Sequence, residues 1–171
     1  DKLISTQKGV IGQLPIKEEL ENLFSNLGIK NTDHVVISYL GVNSLDFGSA
    51  ARLYWSLKTA GHDNVSILNG GLKAWKQEGY QLATDEHQIT PSQFKVTFND
   101  KYVASYKDVR DAKRKRNNLA LIDARPKAFF IGEKKHPKIS RAGTIPRAVN
   151  LAEGSIVTAN TNVTSAEKIN A

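Results

Sequence analysis

Hydrophobic and polar positions alternate along this chain in two rhythms, and the change from one to the other marks its elements. Val35-Val36-Ile37 is a short β-branched apolar run, the signature of a strand buried on both faces. A polar, glycine-punctuated loop follows over residues 38–49. From Ala50 the rhythm becomes helical, with Leu53, Tyr54, Leu57 and Ala60 at one-face spacing until Gly61. Val65-Ser66-Ile67-Leu68 is a second buried strand. Asn69-Gly70-Gly71 turns the chain, and Leu72, Trp75 and Lys76 open another helix that Gly79 ends. Strand, helix, strand in this order predicts a parallel crossover unit. Ligand sites in such units lie where a strand's carboxyl end meets loop amides and a helix N-terminus, here the loop after Ile37.

The flanking segments are read in the same way. Residues 1–15, broken by Gly9, Gly12 and Pro15, predict a loop or linker. Ile16, Leu20, Leu23, Phe24 and Leu27 share one helical face, with Gly28 as the stop. Residues 80–100 are polar and extended around Pro91, and the alternation Phe94-Lys95-Val96-Thr97-Phe98 predicts a linker strand. Ser105 opens a helix carrying Val109 and Ala112 on one face and ending in the basic run 113–116. Leu119-Ala120-Leu121-Ile122 is a third buried strand, running into Asp123-Ala124-Arg125. A loop with Phe129, Phe130, Gly132, Lys134, Lys135, His136 and Lys138 follows, and a last helix is expected to begin at Ser165-Ala166-Glu167. The fold class is α/β, a parallel sheet with helices on both faces.

Composition narrows the chemistry. The 171 residues are 40% hydrophobic, enough for a real core. No apolar run approaches the ~18 residues a membrane span needs. A net charge of +7 favours anionic partners. The basic run 113–116 has no interleaved aromatic residues, so it is read as a solvated helix end offsetting the macrodipole rather than as a nucleic-acid patch. Asp1 rather than Met opens the sequence and no signal-peptide core is present. That leaves a removed leader or a piece of a longer protein, and an exported or periplasmic setting is the expectation.

The decisive count is cysteine, which is zero. Disulfides, thiolate metal sites and a cysteine nucleophile are excluded from the chain. His34, His62, His87 and His136 have no metal-ligand spacing, no serine sits in a nucleophile elbow, and no phosphate-loop lysine motif occurs, so no cofactor is expected.

Three stretches together resemble a rhodanese-type sulfurtransferase with two tandem domains: GHDNVSILNGGLKAW (61–75), LIDAR (121–125) and GTIPRAVNL (143–151). The resemblance implies the back half of a first rhodanese-like domain over 1–85, a linker over 86–100 and the front half of a second over 101–171. The halves are expected either to complete one another as a circularly permuted single domain or to be completed by segments of another chain. It also implies transfer of sulfane sulfur from a small anionic donor such as thiosulfate to a thiophilic acceptor, including a protein acceptor, through a cysteine persulfide. Leu40 or Gly41 stands near the place of that cysteine in the first domain. Asp123 and Arg125 match the family's Asp-x-Arg, Arg141 is expected to line the approach of an anionic substrate, and Arg52 matches a family arginine. The alternative for Arg52 is an ion pair with Asp46. Thr144 stands where the family usually has histidine, and Arg147 where it has glycine. The competing reading is a catalytically silent rhodanese-like module that binds an anion or a protein.

Overall fold

The structure, a computed structural model, describes residues 2–7, 9–115, 120–158 and 162–164, with backbone only over 112–115. The expected third strand loses Leu119 to this limit, and the basic run 113–116 and the helix start at 165–167 lie outside the described side chains.

The crossover unit is present. β3 (Val35–Ile37) pairs in parallel with β4 (Val65–Ile67), Val35 opposite Val65 and Ile37 opposite Ile67. Between them runs α2 (Ser44–Thr59), and α3 (Gly71–Gln77) follows β4. Helix α1 (Lys17–Asn26) buries Leu20 and Phe24 as its periodicity requires, and Gly28 closes it with a left-handed φ of 72°. A second parallel pair joins β5 (Leu121–Asp123) to β6 (Ala148–Asn150). Helix α4 (Tyr106–Lys115) starts at a reciprocal cap: Asp108 N donates to Ser105 Oγ, and Ser105 N donates to the Asp108 carboxylate.

Three features depart from the sequence reading. Residues expected to be a loop form an antiparallel hairpin, β1 (Ser5–Gln7) with β2 (Val10–Gln13). Phe129 and Phe130, placed in a loop, lie in a single helical turn, α5 (Lys127–Phe130). Helix α2 begins at Ser44 rather than Ala50, because Asn43 caps it by accepting from Asp46 N at 3.0 Å. Among the described residues, the strands of the two parallel pairs do not bond to each other.

The core collects Leu20, Phe24, Ile37, Tyr39, Leu57 and Val65 with Phe94 and Val96 from the extended segment after Pro91. That segment joins no described strand. Its backbone is held by Ser25 Oγ and the Glu21 carboxylate, which accept from Phe94 N and Val96 N, and by Asn31, which exchanges two bonds with Lys95. The alternation holds for Phe94 and Val96, which pack between α1 and the end of α2, but it stops before Phe98, which is exposed like Lys95 and Thr97.

Both parallel pairs keep one bare face: Val36, Ile122 and Val149 are each more than half exposed. Parallel strands ordinarily have helices on both faces. Arg147, where the family pattern has glycine, holds a left-handed φ of 75°, at a cost of about 1 kcal/mol to a residue with a Cβ.

Candidate functional site

The loop after Ile37 does face helix N-termini, but its groups are already engaged. Asp46, in the first turn of α2, reaches back and its carboxylate accepts from Leu40 N at 3.3 Å, Gly41 N at 2.6 Å and Val42 N at 3.2 Å. The amides that would hold a bound anion hold this side chain instead. From the other side α3 donates through Leu72 N to Tyr39 O and through Lys73 N to Leu40 O, while Gly70 N donates to the Tyr39 hydroxyl. The loop is therefore a closed cradle around an internal anion.

A second cluster forms at the carboxyl end of β5. Arg125 donates to Asp123 through Nε at 2.9 Å to Oδ1 and Nη2 at 2.6 Å to Oδ2, a two-pronged pair, and Arg125 N adds a third bond. Thr144 Oγ1 donates to the same carboxylate at 2.6 Å, and Arg125 Nη2 also reaches Gly143 O. Asn150 Nδ2 ties the strand end down by donating to Asp123 O and Arg125 O. The Asp123 side chain is 10% exposed, that of Arg125 48%. Arg125 first, then Thr144, hold the Asp123 carboxyl well below the usual carboxylate range, and Asp123 in turn raises Arg125. Arg141 lines the same open cavity of about 650 Å³ and has no carboxylate partner among the described residues. Asp123, Arg125 and Arg141 are thus brought together, with two guanidinium groups against one committed carboxylate.

An acid-stability consequence follows. Because the native pKa of Asp123 is depressed, its stabilisation is complete above the unfolded value of about 3.9 and is lost as pH falls toward the native one. Urea denaturation between pH 6 and about pH 2.5 is expected to show an acid-side loss of stability that Asp123→Asn reduces. Equal slopes in the two proteins would contradict the pairing.

Arg52 lies elsewhere. Its Nη2 donates to Leu3 O, Gly12 O and Gln13 O, its guanidinium stacks 4.6 Å over Trp55, and burial lowers its pKa. The ion pair with Asp46 is not made, because that carboxylate is turned to the loop amides. Arg52 instead pins the N-terminal hairpin onto α2, beside a separate cavity of about 520 Å³ that also includes Phe47 and Glu153. Sequence reading named Asp46 as a partner for Arg52 and Thr144 as a departure from the family pattern, but not their roles as loop anchor and Asp123 donor, and it did not single out Asn150. For Asp46 a signal existed: Asn43 with an acid three residues on is a capping pattern. Of the histidines, His34 bonds Ser66 Oγ and His62 packs on Phe94 in the core.

Residues 4–78 match the Rhodanese-like domain family. The chain is 31% identical over 142 residues to mouse thiosulfate sulfurtransferase, covering 81% of this chain and 46% of that protein. It is 33% identical over 139 residues to 3-mercaptopyruvate sulfurtransferase of Escherichia coli K12, covering 81% and 48%. Against the sulfur carrier protein TtuD of Thermus thermophilus the figures are 32% over 164 residues, 91% and 56%. The chain thus spans about half the length of these curated relatives. Among solved structures, SseA from E. coli, described as a 3-mercaptopyruvate sulfotransferase with the rhodanese fold, aligns with a TM-score of 0.75 at 26% identity over 97% of this chain and 59% of that one. With its two parallel pairs and its crossover helix, the chain thus carries a rhodanese-like domain and has the rhodanese fold.

Proposed function

We propose that this chain supplies the donor-binding part of a rhodanese-like sulfurtransferase and carries no sulfur covalently itself. The observation behind this reading is the cavity at the end of β5, lined by Arg125 and by Arg141, which has no carboxylate partner among the described residues. Two guanidinium groups suit a small divalent oxyanion such as thiosulfate, and the Asp123 and Gly143 contacts fix one of them in place. The sulfane sulfur must pass to a cysteine thiolate, and the sequence has none. Binding without that nucleophile accelerates nothing.

The 171-residue chain is therefore expected to bind thiosulfate, weakly and in a salt-dependent way, to lose severalfold in affinity with Arg141→Ala, and to give no thiocyanate from thiosulfate and cyanide. Its intact mass after thiosulfate treatment stays unchanged. Turnover, or a mass gain of one sulfur atom, would overturn this reading.

The second reading, a catalytically silent module, draws support from Asp46. A loop whose amides are neutralised internally has no field left for an incoming anion. No thiosulfate binding, or binding indifferent to Arg141→Ala, would favour it.

A further inference from the structure

Beside the Asp123–Arg125 pair, residues 132–143 leave the body of the protein and return to the point of departure. Gly132 and Gly143 both hold left-handed φ, 85° and 92°, and a Cβ on Gly132 would stand 3.3 Å from Gly143 N, so the two ends of the loop touch. A compact loop with adjoining ends is an Ω-loop, a form often used for recognition. Its backbone is fastened from both sides. Lys134 N donates to Ala128 O in α5, and Arg125 Nη2 donates to Gly143 O. Inside it, Ile139 N donates to His136 O and Lys138 N to His136 Nδ1. A surface already held in shape loses little freedom when something binds it.

Its chemistry is one-sided. Lys134, Lys135, Lys138 and Arg141 have no carboxylate partner among the described residues, and Glu133 is the one acid between 132 and 143. Lys134, Lys135 and Arg141 line a cavity of about 290 Å³ whose apolar wall is Phe129, Ile139 and Pro126. That volume is just below the ~300–1,000 Å³ of clefts that enclose whole small molecules, and it suits a single side chain.

We propose that this loop docks an acidic peptide segment of a protein partner, with one aliphatic or aromatic side chain seated between Phe129 and Ile139. The carboxylates meet the lysines at the rim, where they set recognition and approach, and the apolar anchor supplies the buried contact. This deepens the protein-acceptor part of the reading above, because it puts the partner next to Arg125 and Arg141. Binding is measured without any sulfur donor, so failure here leaves the thiosulfate result untouched, and the reverse also holds.

The test is fluorescence anisotropy of a labelled Glu–Gly repeat peptide containing one central Leu, titrated with the full chain. Saturable binding is expected. It should fall roughly tenfold or more in Lys134→Glu/Lys135→Glu, severalfold in Ile139→Ser, and severalfold when the peptide's Leu becomes Ser. The last comparison uses unaltered protein, so it stands whether or not the variants fold. The proposal is overturned by an absence of saturable binding, by equal binding of the Leu-less peptide, or by single-stranded DNA of the same charge binding as tightly.

Discussion

Phe94→Ala is expected to cost about 3–5 kcal/mol, enough to unfold a domain of ordinary stability at moderate urea. Phe94 is 1% exposed, although it belongs to a segment with no helix or strand of its own. Its ring meets Phe24 edge-on at 5.1 Å and His62 at 5.7 Å, which links α1 to the turn after α2. Truncation leaves a void lined by both, and the segment cannot collapse into it. Its backbone is fixed on either side, where Thr97 N donates to Ala60 O and Ser92 N to Ser25 O. The check is the urea midpoint with an unchanged slope. A loss under about 1 kcal/mol would show that residues 92–99 lie on the core rather than in it.

Gly71→Ala is expected to cost about 2–4 kcal/mol. Gly71 has φ of 62°, and a Cβ there would stand 2.4 Å from Tyr39 O and 3.0 Å from Gly41 N. Both are backbone atoms of the loop after β3, so no side chain can swing aside. The strained conformation alone costs about 1 kcal/mol, and the rest comes from pushing the loop off the start of α3. Two bonds run across that contact, Leu72 N to Tyr39 O and Lys73 N to Leu40 O. A lower melting temperature is therefore expected together with faster amide exchange at Leu72 and Lys73. Normal exchange there would locate the damage elsewhere.

How far the sequence could be read depended on whether an element is specified locally. Strand β3 is a contiguous β-branched run and β4 is Val65 and Ile67 around one serine, each followed by glycine punctuation, so their local pattern identifies them. Gly28 as the end of α1 follows from the same punctuation. Hairpin β1–β2 was not legible, because Val10 and Ile11 are exposed and its hold on the body comes from Arg52, some forty residues away. The segment around Phe94 showed its alternation, but its partners are side chains of α1 and Asn31, up to 75 residues distant, which no local pattern encodes. At the candidate site, Asp123 and Arg125 were singled out together by their match to an Asp-x-Arg motif, and the structure adds that they pair with each other. Thr144, which completes that carboxylate's shell, is 21 residues away and is placed only by the β5–β6 pairing.

The closed cradle around Asp46 bears on any attempt to give this chain a nucleophile. Writing a cysteine at Leu40 or Gly41 would restore the missing atom but not its reactivity. A thiol becomes a thiolate at neutral pH where amide dipoles and cations favour the negative charge. Here the loop's dipoles already terminate on a carboxylate, and a second anion beside it would be repelled, raising the thiol pKa rather than lowering it. At Gly41 the left-handed φ of 84° adds backbone strain. Gain of function would need Asp46 removed in the same design, and with it an N-terminal anchor of α2. A cysteine written here alone is therefore expected to titrate as an ordinary or raised thiol, and the same cysteine with Asp46→Asn at a lower pH.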